Sequence, residues 1–310
     1  MHFAPDVVLV DHAPRGMKGE VLPALHALQR VSPATRIVLG LRDVLDEPEK
    51  VRRQWAGQDT YRTIEEFYDR ILIYGQADLF NPVEAYAFPP ALTARTRFCG
   101  YIQREDPIHL APAPRAELGL DDAPFVLVTT GGGGDGAMLE ETCLDALALL
   151  RRGQPVQAVV ITGPLMALKA RDQLEKRARS LAPAIRLLPF HRDIPGLMRA
   201  SSLVVAMGGY NTLCEIVSSG CPAVVVPRAH PRLEQHIRAH AFAARGLIHM
   251  LSADDLSPVS LACAMGRALH EGPATSAIRA EWDGAGLVRI ASEFAGLLPL
   301  HRRARNRAAS

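Results

Sequence analysis

No two of the five cysteines form a C-x-x-C pair, and three of them fall inside apolar helix or strand patterns. That argues against a disulfide framework or a zinc knuckle and for reduced, packed thiols. Aromatic residues make up only 5% of the chain, so any core must be built mainly from Ala, Val, Leu and Ile. No apolar run approaches the roughly 20 residues of a membrane span, and no basic N-terminal region leads into an apolar segment. A formal charge of +2 is too balanced to point to nucleic acid. These absences lead us to expect a cytoplasmic protein, free or resting on the inner face of the membrane.

What is present is enough for two cores, with 310 residues of which 48% are hydrophobic. Short apolar runs at residues 7–10, 37–40, 71–74 and 96–102 alternate with helical patterns at 20–30, from 47 onward and at 61–68. Alternation of this kind gives parallel strands joined by crossover helices. Residues 105–124 are rich in proline and polar side chains and read as a linker after a first domain at 1–104. A second α/β unit is expected over 125–310. Its strands fall at 125–130, 156–162, 185–188, 203–206 and 223–226, and a last helix spans 286–298. In the first domain the strand ends carry His12, Arg15, Arg42 and Asp43, where ligands of open α/β sheets bind.

Chemistry concentrates in the second unit. After the strand at 203–206, Gly208 and Gly209 form a tight turn, and Asn211 and Thr212 open an apolar helix that stops at Gly220. A strand, turn and helix N-terminus of this kind present unpaired N–H groups and a positive dipole end, which suit a phosphate. Glu215, further along that helix, has the reach and the two acceptor oxygens to hold a ribose. The next strand ends at Pro227-Arg228, and Glu234-Gln235 begin another helix. Gly131 to Gly134, with Asp135 and Gly136, make a second phosphate-loop candidate. Gly131, Gly133 and Gly136 satisfy G-x-G-x-x-G, but the following strand ends Ile161-Thr162-Gly163-Pro164 without the acid that a nicotinamide dinucleotide requires.

The ordered set Phe190-His191-Arg192-Asp193-Ile194, Gly208 to Thr212 with Glu215, Gly220-Cys221-Pro222 to Pro227-Arg228, and Glu234-Gln235 resembles the donor half of GT-B glycosyltransferases of the MurG-like family 28 type. The resemblance implies two Rossmann-like domains facing a cleft, with the last helix packing back on the first. It places the nucleotide base against the backbone at Phe190-His191, which makes His191 a lining residue. It gives Glu234-Gln235 the sugar hydroxyls, and sets the glycine loop at 131–134 beside the diphosphate. Arg228 can neutralise phosphate or pair with Glu234.

The implied activity is inverting transfer of a hexosyl group from a nucleotide sugar, expected to be a UDP-sugar, to a glycan or glycolipid acceptor. Neither a metal nor a cofactor is expected, since helix N-termini and Arg228 supply positive potential. Such acceptor domains begin with a strand and glycine-rich loop ahead of the element that residues 7–10 resemble. The first domain is therefore expected to be incomplete, with His12 and Asp43 as the candidates for the acceptor base. Two other readings stay open: a non-catalytic donor-binding subunit that needs a partner chain or self-association, and a nucleotide-sugar 2-epimerase. The basic tail at 301–305 offers a membrane-surface contact.

Overall fold

The computed structural model describes residues 4–103, 114–153, 155–181, 184–272 and 280–298. The basic tail and residues 105–113 of the proline-rich linker lie outside them. The chain divides into two compact units, Met1–Gln103 with Asp283–Ser310, and Arg104–Trp282. The second unit thus closes at Trp282 and not at the C-terminus.

The first unit runs β1 (Val7–Asp11), α1 (Leu22–Val31), β2 (Arg36–Arg42), α2 (Pro48–Gly57), α3 (Thr60–Phe67), β3 (Arg70–Tyr74), α4 (Pro82–Ala85), α5 (Pro90–Arg95) and β4 (Thr96–Phe98). All four strands are parallel in the order β1-β2-β3-β4, with Leu9 opposite Val38 and Gly40 opposite Leu72. Proline opens α2, α4 and α5, where the missing N–H costs nothing. The core gathers Leu25, Ile37, Leu39, Leu41, Trp55, Ile64, Ile71, Ile73, Tyr86 and Leu92. β4 is shorter than the 96–102 run, because at Gly100 the backbone turns to φ 80°, a conformation glycine adopts without a Cβ penalty. The chain returns to this unit after Asp283, whose carbonyl accepts from Tyr101 N at 2.8 Å. In the helix Gly286–Leu297, Glu293 meets Arg70 Nε at 3.3 Å, and Arg289 donates to the Cys99 carbonyl at 3.0 Å.

The second unit contains α6 (Pro114–Glu117), β5 (Phe125–Thr129), α7 (Ala137–Leu150), β6 (Gln157–Ile161), α8 (Leu168–Ser180), β7 (Ile185–Leu188), α9 (Ile194–Ala200), β8 (Leu203–Ala206), α10 (Tyr210–Ser219), β9 (Ala223–Val225), α11 (Glu234–Ala244), β10 (His249–Met250) and α12 (Pro258–Glu271). Its six parallel strands lie in the order β10-β9-β8-β5-β6-β7. Every residue of β5 and β8 is buried, as continuous apolar runs require in a sheet covered on both faces. Strand order reverses between β5 and β8. Beyond the carboxyl ends of the strands at such a reversal the connecting loops part to opposite faces and leave a crevice. Among the described residues, no helix is long and apolar enough to cross a membrane.

Candidate nucleotide-sugar site

Two loops border the strand reversal. The loop after β5 holds the glycine cluster. Gly133 sits at φ +83°, and a Cβ there would land on the Thr162 carbonyl oxygen; Leu165 N donates to the Gly132 carbonyl at 2.9 Å. This face of the loop is therefore fixed to the loop after β6. A Cβ on Gly131 or Gly134 would meet nothing within 4 Å, so that side of each is open, while the Gly131 N–H donates to Thr129 Oγ1 at 3.5 Å. The four glycines thus divide by role: Gly133 is needed for packing, and Gly131 and Gly134 leave room.

The loop after β8 is held from below. A Cβ on Gly208 would lie 2.9 Å from the Gln235 carbonyl and 3.2 Å from Pro227 Cβ, so glycine permits this crossing of the two strand ends. Arg238, 1% exposed, donates to the Gly208 carbonyl at 3.3 Å and lies 5.5 Å over the Tyr210 ring. The loop ends on Gly209, which caps α10 with no side-chain hydrogen bond, and the first helical bond is Leu213 N to Gly209 O. The N–H groups of Tyr210, Asn211 and Thr212 precede that bond and point out of the helix start. Along α10, Tyr210, Leu213, Cys214, Ile216 and Val217 are buried while Asn211, Thr212 and Glu215 line the outer stripe. Helical side chains lean toward the N-terminus, so Glu215 in the second turn reaches back over Asn211 and Thr212.

At the end of β9, Arg228 does both things its sequence context allows a cation to do with carboxylates. Its Nη2 meets Glu234 Oε1 at 2.9 Å and its Nη1 meets Asp135 Oδ2 at 2.6 Å, joining the β9 end, α11 and the glycine loop. Gln235 is buried, and its side-chain oxygen accepts from Arg228 N at 3.3 Å, which braces the β9–α11 turn. Beyond β7, Phe190 is 65% exposed and His191 7% exposed. His191 Nδ1 accepts from Asp193 N at 3.1 Å, and its Nε2 lies 4.0 Å from Glu117 Oε1. Asp193 caps α9 by accepting from Gly196 N at 2.8 Å, and α9 packs against α10. The Phe190-His191 loop is carried back from the sheet edge in this way.

Three side chains here escaped the sequence reading: Asp135, Arg238 and Glu140. Glu140, in the first turn of α7, is fully buried beneath the glycine loop; Oε1 accepts from Thr130 Oγ1 at 2.7 Å and Oε2 makes no hydrogen bond. Burial pushes its carboxyl up to about 7, opposed by the Thr130 hydrogen bond and the Arg171 charge. Its position was legible. Glu140 shares a helical stripe with Cys143, Leu144 and Leu147, all buried, and an acid within such a stripe needs a reason.

The two acceptor-base candidates lie in the first unit and differ sharply. His12 follows β1 in the left-handed region at φ 67°, its N donating to the Gly40 carbonyl at 2.7 Å. Asp43 is 1% exposed, with Oδ1 accepting from Val44 N at 2.6 Å and Oδ2 from the Tyr101 hydroxyl at 3.0 Å. Both oxygens of this buried carboxylate are engaged, an arrangement a packing acceptor shares. Among the described residues, no group of three or more His, Cys, Asp or Glu is placed to hold a metal ion.

Residues 125–286 match the glycosyltransferase family 28 C-terminal domain. An uncharacterized glycosyltransferase of Methanopyrus kandleri is 30% identical over 213 residues, covering 67% of this chain and 56% of that protein. A UDP-N-acetylglucosamine–N-acetylmuramyl-(pentapeptide) pyrophosphoryl-undecaprenol N-acetylglucosamine transferase of Brucella abortus is 30% identical over 186 residues, covering 58% of this chain and 47% of that one. The chain thus spans about half the length of the curated relatives it matches. Among solved structures, the glycotransferase of kitacinnamycin superposes with a TM-score of 0.62 at 17% identity, over 96% of this chain and 77% of that one. At that identity the likeness is one of fold, here the GT-B arrangement of parallel α/β sheets.

Proposed function

The chain belongs to glycosyltransferase family 28 through its C-terminal domain, and from that premise we propose that its second unit binds a UDP-sugar whose hexosyl group is transferred, with inversion, to a glycan or glycolipid hydroxyl. The observation that carries this reading is the strand reversal between β5 and β8, bordered by an open glycine backbone and a helix start without a side-chain cap. The diphosphate lies against the N–H groups of the 131–134 loop and of Asn211 and Thr212. Those groups already point at the phosphates and need no reorganisation as charge builds on the departing diphosphate. Glu215 takes the ribose hydroxyls, Glu234 with Gln235 takes the sugar, and the backbone at Phe190-His191 takes the base. We assign no metal to this step, because oriented N–H groups and Arg228 supply the positive potential.

The Brucella relative's name carries a UDP-N-acetylglucosamine donor and a lipid pyrophosphate acceptor, which supports a UDP-sugar and an acceptor of cell-envelope type. Family membership favours transfer over 2-epimerisation. Of the two base candidates, His12 is the better one, since Asp43 is spent on Val44 and Tyr101. We read this acceptor as being met at the membrane's inner face; among the described residues no helix is long and apolar enough to cross it.

Calorimetric titration of UDP and 2′-deoxy-UDP tests the ribose assignment. Glu215→Ala removes two charge-assisted hydrogen bonds, so UDP should bind about tenfold more weakly. The preference for UDP over its 2′-deoxy form should narrow with it. An unchanged 2′-hydroxyl preference in the variant would remove Glu215 from the site and the donor from this crevice.

A further inference from the structure

The Asp135–Arg228–Glu234 cluster is out of balance in both charge and hydrogen bonding. Two carboxylates share one guanidinium, which leaves a net negative charge where a diphosphate is to bind. Two of its atoms, Arg228 Nε and Glu234 Oε2, are buried without a hydrogen bond. Orphaned donors and acceptors are rare in folded interiors and call for a ligand or another partner. A hydroxyl satisfies Glu234 Oε2, and an anionic oxygen satisfies Arg228 Nε. An anion on that guanidinium competes with the carboxylates already there. Glu234 is the fixed one, its side chain 17% exposed at the start of α11; Asp135 is 47% exposed and stands between Gly134 and Gly136. Asp135 is therefore the member that can leave.

Resting on the donor reading above, we propose that Asp135 is a competing partner of Arg228 that the donor's diphosphate must displace, so that it sets how tightly the diphosphate is held. The distal phosphate of a nucleoside diphosphate displaces the Asp135 carboxylate from Arg228. A nucleoside monophosphate has no phosphate at that position, and an uncharged nucleoside does not compete for Arg228 at all, so neither should gain from Asp135→Asn. Asp135 thus lowers affinity for an anion that needs Arg228 and leaves an uncharged nucleoside untouched, so it tempers the hold on the diphosphate.

The test is calorimetric titration of UDP, UMP and uridine into the full chain and into Asp135→Asn, Arg228→Gln and the double variant. Asp135→Asn keeps size and polarity at an exposed position, and its thermal transition should match the parent. UDP should bind Asp135→Asn roughly two- to fivefold more tightly, the range of an exposed ion pair, and uridine should be unaffected. The gain should shrink in high salt, where exposed charges are screened. In the Arg228→Gln background the Asp135→Asn gain should vanish. An unchanged ratio of UDP to uridine affinity overturns the proposal, as does a gain that survives without Arg228, since Asp135 would then act by simple repulsion. If the parent binds none of the three ligands, the donor reading falls and takes the proposal with it. If the parent binds UDP with a 2′-hydroxyl preference that Glu215→Ala abolishes, and Asp135→Asn changes nothing, the Asp135 assignment alone falls.

Discussion

In the second sheet β5 lies between β6 and β8, so the chain winds outward from it in both directions; in the first, β1 to β4 follow one another in a single direction. Right-handed crossovers make the difference consequential. Where the order reverses, loops from neighbouring strands lead to helices on opposite faces and separate. Where it does not, the loops lie side by side and pack. The residues show both outcomes. Beyond β5 and β8, Gly131 and Gly134 face open space, whereas beyond β2 and β3, Asp43 is pressed against Gly75 and Tyr101, with a Cβ on Gly75 falling 2.8 Å from Asp43 Cβ. A polar residue just past a strand end therefore carries different meaning in the two units.

The largest effect that could break this comparison is at Gly133. Gly133→Ala forces a side chain into the left-handed region and onto the Thr162 carbonyl. Strain and overlap together should cost about 3 kcal/mol or more. Gly134→Ala, with nothing within 4 Å of its Cβ, should leave stability nearly unchanged and weaken UDP. Urea unfolding followed by hydrogen exchange should show the Gly133→Ala loss in β5 to β10 and not in β1 to β4. Equal stability of the two variants would mean that the glycine loop is not fixed on one face and open on the other.

Next in size is a pH effect confined to the second unit. Glu140 is held at about 7 in the fold against 4.5 for an unperturbed carboxyl, because burial penalises its charged form. A raised acid pKa means that the folded state binds the proton more tightly than the unfolded chain does. The fold is favoured by this group at low pH, loses that stability as pH rises from 4.5 toward 7, and bears the full cost above it, roughly 3 kcal/mol. Glu140→Gln keeps an acceptor for Thr130 and cannot ionise. Its urea midpoint should stay level between pH 5 and 8 while the parent's falls, so the variant is the more stable protein at pH 8. Parallel curves would show that Glu140 is already ionised in the fold.

How much of this was legible follows the same division. The second unit's strands, the Gly208-Gly209 turn and α10 ending at Gly220 could be read directly, because parallel strands buried on both faces are unbroken apolar runs and the turn residues are glycines. The outer stripe of Asn211, Thr212 and Glu215 came with that helix. What could not be read was anything set by contact between distant segments. Arg228 has two plausible partners in sequence and three segments in space, and Asp135 meets it across 93 positions. Arg238 looks like a surface residue of α11 until the Gly208 carbonyl is placed beneath it. Helix α12 lies beyond the run of strands that frames the other helices, and its signals are local ones, a capping box of Ser257 with Ser260 and Pro258 in the first turn. The burial of Asp43 could not be read either, because its partner, the Tyr101 hydroxyl, lies 58 positions away.

The smallest change is also the one that bears most directly on the acceptor side. Tyr101→Phe deletes the hydroxyl that donates to Asp43 Oδ2 and alters nothing else in the buried pair. If Asp43 is a packing acceptor, Val44 N still holds Oδ1, and the loss should be about 1–2 kcal/mol of stability, that of one buried hydrogen bond to a carboxylate. Transfer activity per folded molecule should not move. If instead Asp43 takes the acceptor proton, the substitution disturbs the reacting group and kcat/KM should fall. His12→Ala is the companion measurement: unchanged activity in Tyr101→Phe with activity lost in His12→Ala assigns the base to the loop after β1. Activity lost in Tyr101→Phe would assign Asp43 to the reaction, and would mean that the tightly packed strand ends of the first sheet hold a reacting group.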